Sequence, residues 1–215
     1  RAGRGLDSFL GPALAHGRAV RDRAPTPLTL PMQRINPFAV LGAHVAQDSL
    51  LYSLYLPHAA MVTAKAVRAA RRLGLSRESE AFIEEAALLH DIGIVRTNEP
   101  RLGCLGQAPY LQHGVLGREI LEAEGLPRHG LVAERHIGVG LSREEILANE
   151  LPLPARDFHP EGVEERIIAW ADLYFSKKPE ELWIEKPAGR VYAEMARFGE
   201  DKAAIFETWR REFEG

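Results

Sequence analysis

The sequence predicts an all-α protein folded as a helical bundle. From about residue 37 onward, apolar residues recur at helical spacing, and no strong alternating strand pattern or internal repeat is present. A third observation concerns two aspartates, Asp91 and Asp172, which interrupt segments that otherwise read as buried core. Because a carboxylate in apolar surroundings is costly unless something pairs with it, a bound cation is expected in the core of the bundle.

The composition is that of an ordinary globular protein. Its 215 residues are ample for one domain, with 46% hydrophobic and 27% charged residues. No segment approaches the roughly eighteen uninterrupted apolar residues of a membrane span, and the single cysteine cannot form an internal disulfide. The net charge of −3 gives no general attraction to nucleic-acid polymers or anionic membranes. We therefore expect a cytoplasmic protein without membrane or nucleic-acid partners, and its oligomeric state stays open.

The first 36 residues differ from the rest of the chain. They are rich in Arg, Gly, Ala and Pro and show little sustained periodicity. We interpret residues 1–36 as an N-terminal arm or extension. Residues 37–215 are expected to form one domain that ends in C-terminal helices.

The first half of this domain is expected to hold two helices and a long loop. Residues 56–73 carry apolar residues at three-residue steps, and Pro57 suits the first turn of a helix. A second helix is predicted over about residues 78–90, with Gly93 available for the turn that ends it. Prolines and glycines predict a loop over residues 96–112, and long ordered loops are often functional.

The second half is expected to be helical with one further loop. Ser142 and Glu145 are spaced as a capping box that begins a helix. Residues 151–162 form a loop interrupted by prolines. The other predicted helices cover about residues 113–125, 127–137, 163–176, 188–198 and 200–213.

Histidines and aspartates fall on these helices in a pattern that favours a metal site. His90 and Asp91 are adjacent at the end of the second helix, where a turn allows both side chains to converge on one ion. Four other such residues lie on other helices: His58, His113, His136 and Asp172. Bundle cores usually assemble metal sites from several facing helices, so the combination predicts a metal site although each residue alone would not.

The order of these residues, with Leu-Leu-His-Asp-Ile-Gly at 88–93, resembles the HD-domain superfamily of metal-dependent phosphohydrolases and its HDIG-type branch. The similarity covers roughly residues 37–212. Segments near Cys104, His136 and Asp172 are similar to a subfamily of small stand-alone bacterial HD proteins.

The resemblance implies an HD-domain helical bundle with the metal site in its core between helices. Members of the family have four core metal ligands. The residues at the matching positions of this chain are His58, His90, Asp91 and Asp172. Members with two metals add histidines that match His113 and His136, with the aspartate equivalent to Asp91 bridging the ions. Because all six positions are filled, the resemblance favours a binuclear site.

One departure from the family concerns cyclic dinucleotides. Members that cleave them generally have Lys after the His-Asp-x-Gly segment, together with a Gly-Tyr-Pro segment. This chain has Ile94 and no such segment, so cyclic di-GMP hydrolysis is not expected.

The expected ligands define the expected chemistry. Four imidazoles and two carboxylates suit Fe, Mn, Co, Ni or Zn better than Mg, so we expect two divalent transition-metal ions, with Fe or Mn favoured and the others as alternatives. A water activated by the metals would attack phosphorus, with Asp91 and His90 as catalytic residues and Asp91 also as proton acceptor. The side chains expected to bind the substrate are Arg96, Tyr110, Arg135 and Lys177.

The leading hypothesis is a metal-dependent phosphohydrolase that acts on a small phosphorylated metabolite, a nucleotide or another phosphomonoester. One alternative is a mixed-valent di-iron oxygenase of the HD type. The other is a non-catalytic, metal-containing protein with a ligand-binding or regulatory role. Cys104 is interpreted as an inert thiol. The histidines outside the pattern are interpreted as surface residues: His16, His44, His129 and His159.

Overall fold

The computed structural model describes residues 34–215, so the predicted arm lies almost entirely outside the described residues. This part of the chain is helical, which confirms the predicted fold class. Its α-helices are α1 Pro37–His44, α2 Leu50–Arg72, α3 Arg77–Leu89, α4 His113–Ala123, α5 Pro127–Arg135, α6 Arg143–Ala148, α7 Val163–Asp172, α8 Ala188–Ala196 and α9 Glu200–Glu214. Two short strands, β1 Asn98–Glu99 and β2 Cys104–Leu105, pair in antiparallel orientation.

Helix α2 begins earlier than predicted. The hydroxyl of Ser49 caps it by accepting a hydrogen bond from the Tyr52 amide at 3.1 Å. Pro57 therefore lies inside the helix, and its predicted place in the first turn is wrong. An internal proline removes one backbone hydrogen bond, but the preceding turns bury Leu51 and Leu54 and so remain attached to the core.

The turn after α3 is packed tightly against α4. His90 is the C-cap of α3, and the chain continues into a 3₁₀ turn at Ile92–Arg96. A Cβ on Gly93 would lie 2.0 Å from the carbonyl oxygen of His113 and 2.3 Å from the amide nitrogen of Gly117. Close approach of two backbones, and not a positive φ, is therefore why glycine stands at this turn.

The predicted loop over residues 96–112 holds the small β1–β2 hairpin. A 3₁₀ turn at Pro100–Leu102 connects the strands, and Gly103 follows with a φ of +77°. Cys104 on β2 is buried, and burial raises the pKa of its thiol to about 11. This environment is consistent with an inert cysteine, since the thiolate is the reactive form.

The second half of the chain follows the predicted order of elements. The capping box of α6 is present: Ser142 Oγ accepts from the Glu145 amide at 3.1 Å, and Glu145 Oε2 accepts from the Ser142 amide at 2.7 Å. Helix α7 ends at Asp172, four residues before the predicted end at residue 176. This places the aspartate at a helix end.

Two clusters of buried apolar residues form the core. One involves α2, α3, α7, α8 and α9 and contains Phe82, Trp170 and Phe206. The other involves α1, α4 and parts of α2 and α3, and contains Tyr55 and Leu89. Helices α2 and α3 contribute to both clusters. Side chains of these two helices that lie between the clusters are therefore shielded from water. Within the described chain, no helix has the length and apolar character needed to cross a membrane.

Candidate metal centre

Asp91 is the centre of a group of buried donors. Its Oδ2 lies 3.2 Å from His58 Nε2 and 3.1 Å from His90 Nε2. Its Oδ1 lies 3.4 Å from His113 Nε2 and 3.5 Å from His136 Nε2. The two oxygens of one fully buried carboxylate thus face two different pairs of histidines.

Asp172 completes the first of these groups. Its Oδ1 lies 3.0 Å from His58 Nε2 and 3.4 Å from His90 Nε2. Within each group, the donor atoms lie within 4.8 Å of one another. The first group consists of His58, His90, Asp91 and Asp172, and the second of Asp91, His113 and His136. All six predicted metal ligands are therefore brought together, with Asp91 shared.

Most of these side chains stand at the ends of helices. His90 and His136 are the C-caps of α3 and α5, His113 begins α4, and Asp172 ends α7. Only His58 comes from the middle of a helix, on the buried face of α2. The donors therefore converge from five helices or helix ends on one point of the core.

Backbone carbonyls orient three of the imidazoles. The Nδ1 atoms of His90, His113 and His136 each lie 2.7 Å from the carbonyl oxygen of the residue three positions earlier. An Nδ1–H that donates to a carbonyl leaves the lone pair of Nε2 directed at the other donors. This arrangement is the usual support of a metal-binding histidine.

The donor set fits a divalent transition metal. Asp91 Oδ1, Asp172 Oδ1, and the Nε2 atoms of His58 and His90 are buried without a hydrogen-bond partner in the described chain. Buried polar atoms are normally paired, and a cation among these atoms supplies the missing interaction. Mixed imidazole and carboxylate donors suit Fe, Mn or Zn better than Mg.

The electrostatics of the group favour ionised carboxylates. Burial opposes charge on Asp91, but His90 and Lys177 hold the pKa of Asp91 well below its usual range. Burial likewise opposes charge on His90, yet the two aspartates raise the pKa of His90 to about 10. The pKa of His113 falls to about 4, because burial and the neighbouring His136 disfavour its protonation. The neutral imidazole, which is the form that binds a metal, is thus favoured at His113, whereas His90 would have to release a proton to bind one.

Lys177 joins the centre to a cleft of about 280 Å³. Its Nζ lies 2.6 Å from Asp91 Oδ2, and its side chain also lines the cleft. Tyr110 lines the cleft as well, and its ring centroid lies 4.8 Å from that of His113. Two of the four predicted substrate contacts therefore lie beside the donors. Lys178, which follows Lys177 in the chain, lines the same cleft, as do Glu99, Arg101 and Leu102, which the prediction did not include.

The other two predicted substrate contacts are engaged elsewhere. Arg96 Nη1 lies 3.2 Å from Glu119 Oε2. Arg135 Nη1 lies 3.0 Å from Glu161 Oε2 and 3.3 Å from Glu165 Oε2. These glutamates do not belong to the donor group, so the structure does not bring either arginine into it. Sequence proximity to His90 or His136 does not determine the direction of a neighbouring side chain on a helix.

One histidine outside the pattern is not at the surface. His129 is buried, and its Nε2 lies 3.4 Å from Glu85 Oε2, whose other oxygen contacts Arg34. The interpretation of His129 as a surface residue was wrong. Its spacing from the buried Val132 and Ala133 on α5, at three and four residues, was the signal that places it on the inner face. His159 is exposed and His44 is half-buried, whereas His16 lies outside the described residues.

Comparisons with known proteins match this chain to one family. Residues 55–175 match the family model described as HD domain. An uncharacterized protein of Methanocaldococcus jannaschii is 43% identical over 123 residues, which cover 54% of this chain and 65% of that protein.

Two longer relatives carry the name tRNA (cytidine(56)-2'-O)-methyltransferase. The protein of Picrophilus torridus is 38% identical over 42% of this chain and 23% of its own length. The protein of Thermoplasma volcanium is 40% identical over 44% of this chain and 25% of its own length. The matched part thus spans just under two thirds of the first relative and about a quarter of the other two.

Among solved structures, the chain is similar to the HD domain of the L. monocytogenes phosphodiesterase PgpH. The identity is 18% and the TM-score 0.47, over 79% of this chain and 94% of that domain. For the same domain in complex with cyclic-di-AMP, the identity is 18% and the TM-score 0.46, over 80% of this chain and 92% of that one.

Proposed function

Because the chain belongs to the HD-domain family, we propose that it is a metal-dependent phosphohydrolase that acts on a small phosphorylated metabolite. A nucleotide or another phosphomonoester is the proposed substrate. The observation that carries this proposal is the pair of buried donor groups that share Asp91, next to a cleft with cationic side chains. Few arrangements other than metal binding satisfy so many converging buried donors.

The donors divide into two proposed ion sites. His58, His90, Asp91 and Asp172 would hold one ion, and Asp91, His113 and His136 a second. Iron or manganese is favoured for both. When bound, such ions lower the pKa of a water and stabilise negative charge on phosphoryl oxygens.

The protein's own groups supply the remaining parts of the proposed reaction. Asp91, placed between the two groups, is the proposed acceptor for a proton released at the centre. The ammonium of Lys177, at 2.6 Å from Asp91 Oδ2, is placed to pair with a phosphoryl oxygen. Tyr110 packs on His113 and is proposed to form one wall of the substrate site. His90 holds its proposed orientation through the carbonyl of Ala87.

Methyl transfer is not part of the proposed function. The matched part covers 23% and 25% of the two relatives that carry the methyltransferase name. The buried histidine and aspartate donors instead fit metal-assisted hydrolysis.

Phosphate release under strictly anaerobic conditions tests the proposal. Protein loaded with Mn²⁺ or Fe²⁺ is expected to release phosphate from at least one member of a panel of nucleotides and sugar phosphates. The Asp91→Ala variant is expected to release none. In a parallel aerobic assay, oxygen uptake without phosphate release would favour the oxygenase instead, and bound metal without either reaction would favour a non-catalytic protein.

A further inference from the structure

The cleft beside the donors is lined by more than one cation. Lys177 connects it to the donors, because its Nζ contacts Asp91 and its side chain also lines the cleft. The next residue, the exposed Lys178, lines the same cleft, as does Arg101 on the β1–β2 turn. A ligand with one group at the donors would thus have two further cations in the adjoining cleft.

The charges of the cleft are unbalanced. Three cationic side chains line it, and Glu99 is the single carboxylate among the described lining residues. Glu99 Oε1 is 3.5 Å from Arg101 Nε, and Lys177 is paired with Asp91. Within residues 34–215, Lys178 forms no ion pair, although its charge helps to lower the pKa of the nearby Glu181. The lining of the cleft therefore carries a net positive charge.

The size of the cleft limits the ligand. Its volume of about 280 Å³ is at the small end for pockets that bind metabolites. Leu102 and the ring of Tyr110 supply apolar surface, and Arg101, Lys177 and Lys178 supply positive charge. A compact molecule with more than one anionic group matches this volume and this excess of positive charge.

We propose that the cleft recognises a second anionic group of the substrate, with Lys178 and Arg101 as its contacts. The substrate would then be a compact molecule with a reacting phosphoryl group and a further phosphate or carboxylate. This inference rests on the proposed function and narrows its substrate class. In this arrangement Lys177 pairs with the reacting phosphoryl group, and Lys178 fixes the other end of the molecule.

Three small probes of similar shape test the second contact by isothermal titration calorimetry on the Mn²⁺-loaded chain of residues 1–215. Methylphosphonate carries one anionic group, phosphonoacetate adds a carboxylate, and methylenediphosphonate adds a second phosphonate. The two longer probes are expected to bind more tightly than methylphosphonate. Lys178→Gln should weaken binding of the preferred longer probe about fivefold, as expected for an exposed charge pair, and leave methylphosphonate unchanged. The double variant Lys178→Gln with Arg101→Gln should bind the preferred longer probe more weakly than Lys178→Gln alone.

The controls separate this inference from the proposed function. Arg197→Gln removes one exposed positive charge outside the cleft and should change nothing. Bound manganese is measured after each titration, so that extraction of the metal by a probe is detected. Equal weakening of all three probes in Lys178→Gln, or no weakening of any, would overturn the second contact alone. A wild-type protein that binds neither Mn²⁺ nor methylphosphonate would instead contradict the proposed function. Whichever longer probe depends more on Lys178 identifies the second group as phosphate or carboxylate.

Discussion

The carboxylate of Asp91 has an unusual number of neighbours for a fully buried group. Its two oxygens face four histidines, and the Lys177 ammonium contacts the Oδ2 oxygen. Burying an unpaired carboxylate would strongly destabilise the fold. The ammonium of Lys177 and the surrounding imidazoles are therefore what stabilise the buried charge of Asp91. The same reasoning applies to Asp172, which shares His58 and His90 with it.

Replacing Asp91 with Ala is expected to remove both activity and most of the bound metal, because each donor group loses a member. Elemental analysis of protein purified without added metal, together with a phosphate-release assay, measures the two effects. Asp48→Ala, which changes an exposed aspartate, is the matched control. Full metal occupancy and unchanged turnover in Asp91→Ala would refute the assignment of the site.

His113→Ala is expected to lose one metal ion in preference to the other. The first donor group keeps all four members in this variant, whereas the second loses one of three. The metal content should fall from about two equivalents towards one, measured by elemental analysis after dialysis. Retention of two equivalents would show that the centre is not built from these two groups.

His129 should make the protein less stable at mildly acidic pH. Burial lowers its pKa below the ordinary value of 6.5, although Glu85 partly opposes this effect. The unfolded chain therefore binds more protons at this position, and the free energy of unfolding falls as the pH drops below about 6.5. Urea unfolding of metal-free protein at pH 7 and pH 5 should show a smaller difference for His129→Gln than for the wild type. The exposed His159→Gln should behave like the wild type.

The helix ends carry most of the centre's geometry. Four of the six donors cap, begin or end a helix, so short turns determine where their side chains meet. The turn at Ile92–Arg96 is the most constrained of them, since Gly93 lies against the backbone of α4. This contact fixes Asp91 relative to His113.

Gly93→Ala is expected to destabilise the protein by about 3 kcal/mol, because the added Cβ would overlap two backbone atoms that cannot move independently. It should also weaken metal binding, since Asp91 and His113 would separate. Gly189→Ala is the matched control: nothing lies within 4 Å of its added Cβ in α8, and alanine is the better helix former. That control should gain about 0.5–1 kcal/mol. Equal stability of both variants in urea unfolding would contradict the proposed packing.

For the molecule as a whole, the sequence predicted the helical class and the six residues that meet. Apolar periodicity predicted the helices, because buried faces leave a local pattern. The six donors were predicted because their order resembles that of the HD-domain family. Features that depend on tertiary contacts were missed. The place of Pro57 depends on turns held by the core, and the two-residue strands around Gly103 are too short to alternate. The directions of Arg96 and Arg135 depend on glutamates distant in sequence.

Metal should stabilise the entire described fold, because its donors come from α2, α3, α4, α5 and α7. A ligand that binds only the folded state at 100 times its dissociation constant adds about 2.7 kcal/mol. Thermal unfolding with excess Mn²⁺ should therefore occur at a higher temperature than after treatment with a chelator. Asp91→Ala should show little difference between the two conditions. If the wild-type protein had the same melting temperature with excess Mn²⁺ and after treatment with the chelator, the proposed centre would be contradicted.

The distance along the chain between His58 and Asp172, more than one hundred residues, has a kinetic consequence. The first donor group cannot assemble until α2 and α7 have met, and contacts so far apart in sequence form late in folding. Interactions that are absent from the transition state change the rate of unfolding and leave the rate of folding almost untouched. Bound metal should therefore lower the rate of unfolding and leave the rate of folding unchanged. The native protein would persist longer, although it would form no faster.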